Sequence, residues 1–72
     1  MTQKRRRYKT IAEYEKDIAF MHRKAQVFMD EKGLSGTVEQ NAQVMFRGRY
    51  TNAVNGLRIL KERPELENWR GE

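Results

Sequence analysis

No cysteine occurs anywhere in the 72 residues, and proline, histidine and tryptophan occur once each. Without thiols the chain has neither a disulfide framework nor a thiolate metal site, and a single histidine, His22, does not furnish a metal centre. No cofactor is expected. No run approaches the ~20 apolar residues of a membrane span, and no apolar stretch follows the basic N-terminus as a secretory signal requires. The expectation is a cytoplasmic protein. A chain this short forms one domain at most, and such a domain buries only about 60% of the surface its unfolded chain exposes. With a thin core and no covalent staple, association with another copy or a partner is the usual supplement.

What is present is positive charge, unevenly placed. The net charge is +5. Lys4, Arg5, Arg6, Arg7 and Lys9 precede the first acidic residue, and the remaining ten basic residues are matched by ten acidic ones. The whole excess therefore belongs to an N-terminal arm, residues 1–9. Such a block repels itself, favours disorder, and commonly engages nucleic acid. Tyr8 within it is suited to stacking on a base. Binding through four or five phosphate contacts would be steeply salt-dependent and nearly blind to sequence.

Helix signals begin directly after the arm. Thr10 followed by Glu13 is a capping box. Ile11, Tyr14, Ile18, Met21, Ala25 and Phe28 then recur at spacings of three and four, one face of a helix. Gly33 and Gly36 bracket the turn sequence GLSG, the first suited to a left-handed C-terminal cap. Thr37 with Gln40 forms a second capping box. From there a second helix is predicted over Val38 to Glu62, stopping before Arg63 because the residue ahead of Pro64 is pushed out of helical geometry. Two helices of similar length joined by a short turn make an all-α, antiparallel hairpin spanning 10–63. The tail, 64–72, opens with a proline suited to a first helical position and carries Trp69, expected to fold back over an open end of the hairpin.

The second predicted helix contains an anomaly in FRGRYTNAVNGLR, residues 46–58. Val38, Ala42, Met45, Phe46, Tyr50, Ala53, Leu57 and Leu60 share an inward arc, with Arg49 and Gly56 inside it. Gly48, Asn52 and Gly56 form a row along its edge. Two interior glycines cost about 1 kcal/mol each relative to alanine, so close approach of a backbone or ligand is expected to offset them. Arg49, if partly removed from water, needs a partner. Either Glu15 or Asp17 serves within the fold, with His22 packed at the border, or His22, Arg49, Asn52 and Gly56 line a pocket for a phosphate or acidic side chain.

Each helix also carries a second, smaller apolar stripe: Phe20 with Val27, and Val44 with Thr51. Burying these in a symmetric contact predicts a homodimer, in the form of a four-helix bundle. On the outward side of the second helix stand Arg47, Asn55 and Arg58, followed by Lys61 and Arg63. Together with the arm they are placed for a continuous basic surface.

Enzymatic chemistry has little to build on. There is no cysteine nucleophile and no glycine-rich phosphate loop, and GLSG is too short for one and lacks its lysine. The expectation is a non-enzymatic helical protein that binds DNA or RNA through Lys4, Arg5, Arg6, Arg7, Tyr8, Lys9, Arg47, Asn55 and Arg58. The alternative is a protein-directed regulator, an inhibitor or adaptor that grips an acidic and apolar patch on a partner.

Overall fold

The structure, a computed structural model, describes residues 8–68. Lys4, Arg5, Arg6 and Arg7 of the arm, and Trp69 of the tail, lie outside the described residues. Three helices and a short 3-10 turn follow in order: α1 (Ile11–Lys32), α2 (Val38–Phe46), α3 (Gly48–Glu62) and η1 (Pro64–Asn68). Among the described residues the fold is all-helical as expected, but the single second helix of the predicted hairpin is broken in two at Arg47.

The ends of the helices follow their local chemistry. At the start of α1 the Glu13 amide donates to Thr10 Oγ1 at 3.1 Å, and the Thr10 amide donates to Glu13 Oε1 at 2.8 Å. Thr37 and Gln40 repeat this arrangement at α2, with distances of 3.0 and 3.2 Å. Gly33 ends α1 in the left-handed conformation, φ 65°, where a side chain would crowd the backbone. α3 stops at Glu62, one residue before the position restricted by Pro64.

The break at Arg47 has no such local signature. Its φ is 49° and its ψ −120°, and among the described residues it alone has a positive φ without being glycine. Hydrogen bonds continue on both sides of it: the Arg47 amide donates to the Gln43 carbonyl at 2.8 Å, and the Thr51 amide donates to the Arg47 carbonyl at 3.1 Å. The bend lets both α2 and α3 lie against α1, which a straight helix crossing α1 at an angle does over only part of its length.

The core between them is small: Met21 and Ala25 from α1, Ala42 from α2, and Tyr50 and Ala53 from α3, flanked by Tyr14, Ile18, Val38 and Phe46. Leu60 is also fully buried. At the far end, the Ile11 amide donates to a Glu67 carboxylate oxygen at 2.8 Å. The 3-10 turn is thereby tied to the start of α1, where a carboxylate is favoured by the helix dipole.

Candidate functional site

The row of small residues that drew notice in the sequence divides into two cases. Gly56 is buried, and a methyl group there would lie 2.6 Å from the Tyr14 hydroxyl oxygen and 2.8 Å from Cε1 of the ring. The glycine thus admits the tyrosine of α1, whose ring takes the space a side chain would fill. Nothing stands within 4 Å of a methyl group at Gly48.

Arg49 departs from its expected position. Its side chain is 52% exposed, although Tyr50, Ala53, Gly56 and Leu60 of the same arc are buried; its long stem carries the charge out to the surface. Its guanidinium donates to Asp17 Oδ1 at 3.2 Å, so of the two acidic partners expected for it Asp17 is the one used. The same carboxylate accepts from Lys9 Nζ at 3.0 Å through its other oxygen. The bond from Lys9 is the main cause that holds the Asp17 carboxyl below its ordinary range; partial burial opposes it and Arg49 adds to it. Arg49 also lies 5.6 Å from the centre of the Phe20 ring and 5.8 Å from that of Phe46, within cation–π range of both.

His22 belongs to a different cluster. Its Nε2 is 2.8 Å from the Tyr50 hydroxyl, the two rings tilted at 45°. Burial, and then the Glu39 carboxylate, raise the Tyr50 pKa, so the hydroxyl keeps its proton well into alkaline solution. Of the residues proposed for an anion pocket, Arg49 and Asn52 do share a cleft of about 490 Å³, with Lys9, Tyr14, Asp17 and Ala53. His22 and Gly56 are not part of it. The Asp17 carboxylate in that cleft already answers the two cations.

Arg47, Asn55 and Arg58 are all exposed, as are Lys61 and Arg63. Lys9, the root of the arm, lies beside Arg49 through their common carboxylate. Tyr8 is half-buried.

The second apolar stripe is real on α1 but continues differently from expectation. Phe20 and Val27 are 38% and 50% exposed. They line a groove of about 480 Å³ with Phe28, Met45 and Phe46, edged by Lys24, Glu31 and Arg49. Val44, 72% exposed, and Thr51 do not line it, so the residues that complete this face are Phe28, Met45 and Phe46. The sequence marks them as inward-facing by period, and only a count of how little a three-helix core can cover could have singled them out.

Among the described residues no group of acidic or histidine side chains is arranged to hold a metal ion, and no helix is long and apolar enough to cross a membrane. No family model, no curated protein and no solved structure matches the chain.

Proposed function

We propose that this chain binds nucleic acid by phosphate contacts from Lys4, Arg5, Arg6, Arg7 and Lys9 of the arm, joined by Arg47 and Arg58 with Asn55 on the exposed side of α3. The observation that carries this reading is the charge distribution: the entire net charge of +5 resides before the first acidic residue. Tyr8 adds a ring suited to stacking on a base. Support from the fold comes from Arg47. A long cationic side chain occupies a backbone conformation suited to glycine, at a cost of about 1–3 kcal/mol, and is exposed. Conformational strain of this kind concentrates where a side chain has work to do at the surface.

Contacts of this type are electrostatic and favour phosphate over base identity. The test is fluorescence anisotropy with a labelled duplex and a labelled single strand, each in DNA and RNA form, titrated over a series of salt concentrations. Binding should weaken steeply with salt. Replacing Lys4, Arg5, Arg6 and Arg7 together by alanine should reduce the logarithmic salt slope on duplex DNA by about 3–4, close to one unit per lost contact. A slope unchanged by that replacement removes the arm from the interface. No binding at low salt rejects the reading and transfers the function to a protein target.

A further inference from the structure

The groove between α1 and α2 plays no part in the phosphate contacts proposed above. Phe20, Val27, Phe28, Met45 and Phe46 line it, and four of the five are among the most exposed large apolar side chains described. Its rim is of mixed sign, Lys24, Glu31 and Arg49, of which Arg49 is already answered by Asp17. Lys24 lies 5.6 Å from the centre of the Phe20 ring; seven positions on, Glu31 shares the same face of α1 and has no ion-pair partner among the described residues. A polyanion is badly matched to an apolar groove edged by a carboxylate, and a partner of uniform charge leaves one of these two residues opposed by its own sign.

We infer that a second copy of this chain occupies the groove, with the two α1 helices antiparallel about a two-fold axis that passes between Val27 and Phe28. The argument is the spacing of the charges. Lys24 and Glu31 stand equally far from the midpoint between Val27 and Phe28, on opposite sides of it. An antiparallel two-fold pairing therefore brings Lys24 of each copy opposite Glu31 of the other, making two ion pairs from one pair of residues. Because consecutive residues lie about 100° apart around a helix, the same register sets Val27 against its own counterpart on one side of the seam and Phe28 against its own on the other. An isologous contact requires this kind of self-complementarity, which a single-sign rim lacks. Met45 and Phe46 of α2 flank the seam, so four helices, α1 and α2 from each copy, enclose one apolar layer. This differs from a bundle built on Val44 and Thr51, which stay outside.

The inference does not depend on nucleic-acid binding and is tested without it. Sedimentation equilibrium of the full chain should show a dimer that dissociates on dilution. Lys24→Glu places like charges opposite each other at both pairs, and so does Glu31→Lys. Each alone should weaken dimerisation on the order of tenfold or more at low salt. The double exchange, K24E with E31K, restores opposite charges in the same register and should recover the dimer. Both positions are exposed, so the fold should survive, as judged by circular dichroism. A chain that is monomeric at several hundred micromolar overturns the inference. So does a dimer indifferent to the single exchanges, or one that the double exchange fails to restore.

Discussion

The phenol ring of Tyr14 lies against the bare backbone of Gly56, so that the glycine that weakens α3 is the position through which α1 and α3 approach each other. Helix propensity and packing therefore oppose one another at a single residue. Gly56→Ala should destabilise the fold by about 1–2 kcal/mol, since overpacking outweighs the improved propensity. In a Tyr14→Ala background the same change should stabilise by about 0.5–1 kcal/mol, because only the propensity term remains. Urea denaturation of the four proteins in this cycle measures the coupling directly, and additive effects would mean that the ring does not rest on Gly56.

Arg47 offers the opposite experiment. A residue with φ 49° and ψ −120° is strained for any L side chain and relaxed for glycine. Arg47→Gly should therefore stabilise by about 0.5–1 kcal/mol after the added entropy of the unfolded glycine is set against the relief. Arg47→Ala keeps the strain and should change stability little. If nucleic-acid binding uses this side chain, both variants bind more weakly, so stability and binding move in opposite directions only in the glycine variant.

The paired cations at Asp17 give the fold an acid dependence of known sign. Because the folded carboxyl titrates below its ordinary value of about 3.9, its contribution is complete above that value and is lost as the pH falls through the lower, folded one. Asp17→Asn should cost roughly 1 kcal/mol at pH 7, two largely solvated ion pairs being worth about 0.2–1 kcal/mol each. At pH 3 the gap between variant and parent should narrow. A gap equal at both values would show that the pairs contribute nothing.

Tyr50→Phe removes the hydroxyl that meets His22 while keeping the ring in the core. The expected cost is about 1 kcal/mol at neutral pH, the net value of one hydrogen bond. The Tyr50 pKa is raised in the folded state, so the contribution of the protonated hydroxyl is intact below about pH 10, the ordinary tyrosine value, and declines as pH rises through the folded one. The cost of the substitution should accordingly shrink in strongly alkaline solution, as followed by thermal melts.

Features encoded over a few neighbouring residues were legible in the sequence. Both capping boxes, the Gly33 cap and the stop before Pro64 depend on residues no more than four positions apart, and each is present. The inward arc was right for Ala42, Tyr50, Ala53, Gly56 and Leu60. It failed for Met45, 37% exposed ahead of the break at Arg47, and for Arg49 just past it, whose long side chain carries its charge out to Asp17. That break was hidden, since nothing in an Arg-Gly pair says that the arginine will take the glycine-like conformation. The Tyr14–Gly56 contact was hidden for another reason: it depends on the relative placement of two helices, which no single helix records. Closure of the helix ends was expected from Trp69, and among the described residues Glu67 makes the observed tie to α1.

The break at Arg47 also partitions the molecule dynamically. α2 has nine residues, fewer than the ~12–15 that an isolated helix needs for even marginal stability, and it lies between Gly36, at φ 99°, and the bend. Its shape depends on packing against α1 and α3, and the expectation is that it opens as a unit before α3 does. Amide hydrogens of α2 should then exchange together and sooner than those in the middle of α3. Met45 and Phe46 ride on this segment, so the groove they line would open and close with it, and an occupant of the groove would slow the exchange of residues it never touches.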